Sequence, residues 1–239
     1  MKRLVLAALV AAALGSGAGA PEASAGTECE GLPECIRVVG PWVDVQPGPA
    51  PTYFRVRCPG QGQTIGGLDA DRPRGRDGVE LSFLGALGGP IGPGITTGRE
   101  VFFVALATVP RHVTFRPLLG CIPATGGGGR SRTSYEPTRT LSAVARPAAT
   151  GPRLTRRVKS VRLLDDDRQS ISHRCRPAER LLSYSTAIAF RTRTAPSTGR
   201  LASVSASARR VGDRVVATVR GRPPAGVRVE LQIHAVCVR

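Results

Sequence analysis

The chain reads as all-β, with two tandem small β-sandwich modules, Ig-like or jelly-roll-like, joined by a Gly/Pro-rich linker. Three observations point there. The cysteines repeat a frame: Cys58 to Cys121 is 63 positions and Cys175 to Cys237 is 62, with apolar Ile65 and Leu182 each seven residues after the opening cysteine. Each frame also closes on strict alternation. Val113, Phe115, Pro117, Leu119 and Cys121 share one face of an extended strand, as do Val229, Leu231, Ile233, Ala235 and Cys237, because successive strand side chains point to opposite sides. Finally, Gly and Pro cut the chain into strand-length pieces at the intervals of sandwich proteins.

In the first module, residues 26–124, the candidate strands are 36–45, 52–58, 78–84, 100–108 and 112–121. Phe54, Val56 and Cys58 share a face, which turns the opening cysteine inward. The glycine-rich run from Gly85 to Gly98 lacks the Lys and Ser/Thr ending of a phosphate loop and reads as a mobile turn. The linker, 125–152, holds Gly126 to Gly129 and Pro137, Pro147 and Pro152. In the second module, residues 153–239, the strands are 170–175, 180–190, 200–206, 214–220 and 226–238. Residues 153–164 stay ambiguous, since Leu154, Val158 and Val161 also fit helical spacing. The frame predicts disulfides Cys58–Cys121 and Cys175–Cys237, each stapling an early strand to the last one, and leaves Cys29–Cys35 as a small local loop. No C-x-x-C pair is present, so the cysteines read as disulfides and not as a metal site.

The first residues have the order of an export signal. Lys2 and Arg3 precede an unbroken apolar run from Leu4 to Leu14, and Ala23-Ser24-Ala25 predicts cleavage before Gly26. An earlier match, Ala18 to Ala20, would leave Pro21 just after the cut. The apolar run is too short for a bilayer span, which takes about 20 residues. The longest later one, Val101 to Val109, is strand length, so residues 1–25 read as a signal peptide and no transmembrane segment is expected in the mature chain. An even number of cysteines suits the oxidising space outside the cell.

Asn is absent and Lys occurs only at 2 and 159, whereas Arg, Ala, Gly and Pro abound. That bias suits a GC-rich bacterial genome, because Lys and Asn codons are AT-rich. Cys58-Pro59-Gly60 running into Ile65-Gly66-Gly67, closed by a cysteine strand some 60 residues on, resembles modules in uncharacterised secreted proteins of GC-rich Gram-positive bacteria. The second module departs from the pattern, with Cys175-Arg176-Pro177 followed by Ser183-Tyr184 in place of Gly-Gly. The resemblance implies a secreted two-module β protein and no assigned activity.

Charge is the sharpest functional signal. Residues 26–129 hold nine Arg and nine Asp+Glu, whereas residues 130–239 hold 23 Lys+Arg against seven Asp+Glu, a net +16. Such asymmetry points to an anionic partner, either a polymer of the cell envelope or a membrane surface, with codon bias as the alternative. The densest basic strip, Arg153, Arg156, Arg157, Lys159 and Arg162, is the candidate anion-binding site, although Asp165-Asp166-Asp167 follows it directly. Nucleic acid is the weaker partner: the second half offers only Tyr135, Tyr184 and Phe190 for stacking.

Chemistry has little to work with. His173 lies in register with Ile171 and Cys175 and is expected to pack inward; His234, beside Glu230 and Gln232, is expected to be solvated. No nucleophile elbow or zinc-protease motif is present. Asp69, Asp71, Asp77 and Glu80 could supply paired carboxylates, but nothing in their spacing fixes a distance. The reading is therefore a secreted non-enzymatic binding or envelope-associated protein without cofactor or metal. A secreted hydrolase with dispersed acidic residues, or an inhibitor or effector, are the alternatives.

Overall fold

Alternation of β-branched and aromatic residues with Arg, Ser and Thr carries most of the described residues into strands. The computed structural model describes residues 27–30, 32, 34–73, 78–85, 90–92, 95–96, 98–124, 154–165 and 167–239. The expected signal peptide at 1–25, the expected linker at 125–152 and Arg153 lie outside these residues. The protein is all-β. A 3-10 turn at Thr27–Cys29 precedes β1 (Ile36–Val39), β2 (Trp42–Val45), β3 (Thr52–Arg57), β4 (Gln63–Asp71), β5 (Val79–Gly85), β6 (Pro90–Gly92), β7 (Ile95–Thr96), β8 (Glu100–Ala107) and β9 (Val113–Pro123). From residue 154 onward come β10 (Leu154–Arg162), β11 (Arg168–Arg174), β12 (Arg180–Arg191), the helix α1 (Thr198–Ala202), β13 (Ser205–Val211), β14 (Arg214–Arg220) and β15 (Arg228–Val238).

Four departures from the alternation have local causes. The expected strand 36–45 breaks at Gly40-Pro41, where Pro41 has no N–H to donate; the Gly40 N–H bonds the Pro117 carbonyl at 2.8 Å instead. Residues 200–206 are not one strand. Leu201 and Val204, three apart, both bury in the core, which favours a helical turn, and β13 begins only at Ser205. The ambiguous segment 153–164 becomes β10, paired with β15 from Leu154↔Val238 to Arg162↔Glu230. Strand β4 carries no clear alternation, yet it pairs with β9 over most of its length. The backbone of Glu28 crosses over that pair, so close that a Cβ at either Gly67 or Gly120 would lie 2.0 Å from the Glu28 carbonyl oxygen. Only glycine fits there.

The strands form one seven-stranded sheet in the order β1-β9-β2-β12-β15-β10, with β4 also on β9, and two three-stranded sheets, β3-β8-β5 and β11-β14-β13; β6 and β7 pair separately. The large sheet crosses from one half of the chain to the other where Val43 and Trp42 of β2 meet Ala189 and Phe190 of β12. Two apolar clusters fill the layers. Phe54, Phe103, Phe115 and Leu119 centre the first, which also takes in Ala187 and Ala189 from β12. Leu181, Phe190, Val215 and Leu231 centre the second. Disulfides join Cys58 to Cys121, Cys175 to Cys237 and Cys29 to Cys35, with Cα–Cα distances of 5.7, 5.8 and 5.6 Å.

Strand β15 is covered on both faces. Val229, Leu231, Ile233, Ala235 and Cys237 enter the second cluster, while the opposite face meets β3 and β8. There the expectation of a solvated His234 fails: the side chain is buried, stacked on Tyr53 at 4.9 Å and tilted against Phe102 at 4.9 Å. Gln232 is buried beside it, and its amide accepts from the Arg55 N–H at 2.8 Å and donates to the Arg55 carbonyl at 3.0 Å. A side chain thus does for edge strand β3 what a neighbouring strand would do.

Candidate anion-binding surface

The sheet β11-β14-β13 turns Ile171, Val215, Ala217 and Val219 into the second apolar cluster. Alternation then commits the intervening residues to the outer face, and the register aligns them in four rows. Arg168, Arg220 and Ser205 form one end row; Ser170, Thr218 and Ser207 the next; then Ser172, Val216 and Arg209; and Arg174, Arg214 and Val211 the other end. No acidic residue lies in these three strands. Arginines therefore stand directly opposite one another at both ends, Arg168 against Arg220 and Arg174 against Arg214. The ends are about 20 Å apart, six residues along a strand. Among the described residues, the five guanidinium groups of this face make no hydrogen bond or ion pair. At the rim, Asp167 is taken by Arg222, whose Nε donates at 2.7 Å.

The strip chosen by density fares differently. β10 is a strand, so its charged side chains divide between two faces. Arg157 donates from Nε to Glu179 at 2.7 Å and from its terminal nitrogen to the other carboxylate oxygen. That pairing holds the Glu179 carboxyl down at about 2, with the Arg176 N–H as a further donor. Lys159 donates to the Ser172 carbonyl at 2.9 Å. Arg156 points the other way, half-buried towards His234, with a buried and unpartnered Nε. Arg162 is exposed on that same face, across from Glu230. The strip is not one patch, and its best-placed cation is already neutralised.

The acidic candidates are bonded, exposed or outside the described residues. Asp71 accepts from Arg116 Nε at 2.9 Å, Asp69 accepts from the Ala70 N–H at 2.7 Å, Glu80 is exposed, and Asp77 lies outside the described residues. A carboxylate pairing that the spacing did not suggest is Asp44 with His112. The buried Asp44 carboxylate faces His112 Nδ1 at 2.9 and 3.1 Å; burial raises its pKa and the histidine partly offsets this. Among the described residues no hydroxyl or thiol hydrogen-bonds His112. His173 is half-buried on the inner side of β11, its pKa lowered by burial and by Lys159. The one metal-sized cluster among the described residues is Cys175, Glu179 and Cys237; its sulfurs are in a disulfide and its carboxylate is on Arg157. Of the stacking candidates, Phe190 is fully buried and Tyr184 is exposed, while Tyr135 lies outside the described residues. No helix among the described residues is long and apolar enough to cross a membrane. The chain matches no protein-family model, no curated protein and no solved structure.

Proposed function

We propose that this is a secreted, non-enzymatic binding protein of two sandwich-like halves, whose β11-β14-β13 face holds a phosphate- or carboxylate-bearing polymer of the cell envelope. The observation that carries the reading is the pair of like-charge oppositions, Arg168 with Arg220 and Arg174 with Arg214. Like charges directly opposite on a sheet are destabilising, and an anion bridging each pair relieves the repulsion. The guanidinium fork suits phosphate and carboxylate oxygens. The Ser and Thr hydroxyls of the middle rows add hydrogen-bonding sites between the two charged ends. Val211 is the only large apolar residue prominently exposed on this face, so the apolar anchors of a membrane-seated surface are lacking. Three disulfides suit export to an oxidising space.

The test uses the full mature chain, sedimented with bacterial cell walls, phosphatidylglycerol vesicles and duplex DNA at several salt concentrations. Wall binding should exceed the other two and weaken steeply with salt, since screening and counterion release act on exposed charge. Combined Arg168→Gln, Arg174→Gln, Arg214→Gln and Arg220→Gln should weaken it about tenfold or more, on the order of one unit of log affinity for a few lost anion contacts. Arg156→Gln with Arg162→Gln should leave it near the parent. Undiminished wall binding by the fourfold variant, or tighter binding to vesicles or DNA, overturns the reading.

A further inference from the structure

Where edge strand β3 lies against the shared sheet, a cleft of about 480 Å³ opens between the two halves of the chain. Its polar wall is made by Arg55 and Arg57 of β3, Ser160 of β10, Arg191 of β12, and Glu230 and Gln232 of β15. The lining is completed by apolar Val39 and Pro41 at the β1–β2 break and by the β3 backbone at Phe54 and Val56, whose side chains turn into the first apolar cluster. Three guanidinium groups thus face one carboxylate. Their existing pairings are single and long: Arg55 reaches Glu100 at 3.2 Å and Arg191 reaches Glu230 at 3.4 Å. Arg57 is exposed and pairs with no acidic group among the described residues. Arg162 stands across from Glu230 on the same sheet face and adds charge at the rim.

The location is set by the fold. Gln232 clamps the backbone of Arg55, which fixes β3 against β15 and leaves the Arg55 and Arg57 side chains at the mouth. A cleft with low-dielectric walls concentrates the field of like charges. The volume lies in the lower part of the range for small-molecule sites, roughly 300–1,000 Å³, and suits one ring-sized group in place of a polymer strand. An apolar edge at Val39 and Pro41 beside guanidinium groups and the Ser160 hydroxyl matches a molecule with a C–H-rich ring face, hydroxyls and one anionic group.

We infer that this cleft binds a single anionic sugar, a monosaccharide carrying phosphate or carboxylate. The site is separate from the β11-β14-β13 face and does not depend on the polymer reading. Titration calorimetry of the full mature chain with glucose 1-phosphate, glucuronate, inorganic phosphate and glucose tests it. One of the two anionic sugars should bind saturably at one site per chain, more tightly than inorganic phosphate, with no heat from glucose. Arg57→Gln and Arg191→Gln should each weaken that binding about tenfold, the scale of one lost charge-assisted hydrogen bond. Both side chains are exposed, and unchanged melting temperatures of the variants show that the fold is kept. The fourfold face variant should bind the sugar as the parent does, even if wall binding fails altogether. No saturable binding of either anionic sugar overturns the inference, as does binding that survives both cleft variants or is lost in the face variant.

Discussion

Between Tyr53 and Phe102, His234 has no partner for Nε2 and only 2% of its surface exposed. Burial disfavours the imidazolium, and the charges of Arg156, Arg55 and His173 add to this, taking the pKa from 6.5 down to about 4. In the unfolded chain the same residue titrates at its ordinary value. Between the two pKa values the unfolded state binds more protons, so stability is complete above pH 6.5 and falls as pH drops towards 4. The loss from this one group is roughly 3 kcal/mol. Below about 4 both states are protonated and its contribution levels off. Thermal melts from pH 8 to pH 4 should show this slope in the parent, and His234→Phe should flatten most of it. His173 shifts in the same direction, through burial first and Lys159 second, and leaves a smaller residual slope. Glu179 works in a lower window: held near 2 against an ordinary 4.5, it contributes above 4.5 and loses that contribution as pH falls through 2. A His234→Phe variant with the parent's slope above pH 4.5 would place the acid sensitivity elsewhere.

Three cross-links tie the elements together, and the loops they close differ tenfold in length. Cys58–Cys121 and Cys175–Cys237 close 63 and 62 residues, and Cys29–Cys35 closes six. In the chain-entropy account, either long link contributes about 4 kcal/mol and the short one about 2. Paired Cys→Ser variants measured by denaturant unfolding should therefore fall into two classes, the long-loop pairs losing about twice as much as Cys29/Cys35. Equal losses would mean that local packing, and not loop closure, sets the value of each link. The long links were legible because alternation turns Cys121 and Cys237 inward on the closing strands. The same rule serves β14, whose Val215, Ala217 and Val219 differ so plainly from Arg214 and Arg220. It fails at β4, where Gly66 and Gly67 erase the pattern, the second of them making room for the Glu28 backbone. It fails again on β15, because Gln232 and His234 look like a wet face and are covered by the other half. The charged surface was legible only as an imbalance between halves. Its five arginines are scattered from 168 to 220 and meet only through cross-strand register. Linear density favours 153–162, the strand whose two faces pull those charges apart.

The two halves each close their own cysteine frame, yet they do not end at their own surfaces. The large sheet runs through the β2–β12 junction, Ala187 and Ala189 complete the first cluster, and Gln232 and His234 seal β3 and β8. Severing the halves would bare Trp42, Phe102 and Ala189, which are 5%, 1% and 0% exposed. It would also leave the β2 and β12 edges as unpaired strands, a template for aggregation. Residues 26–239 should accordingly unfold in one cooperative transition, followed equally by calorimetry and by the fluorescence of Trp42 at the junction. Residues 26–129 and 130–239 produced separately should melt well below the parent or precipitate, and mixing them should restore part of the lost stability by mass action. Two fragments that each melt at the parent's temperature, with no association on mixing, would mean that the shared sheet adds nothing and that the halves are independent units. The same reasoning decides how the charged face must be tested. Arginine substitutions in the intact chain change the surface alone, whereas a fragment changes the surface and the junction together.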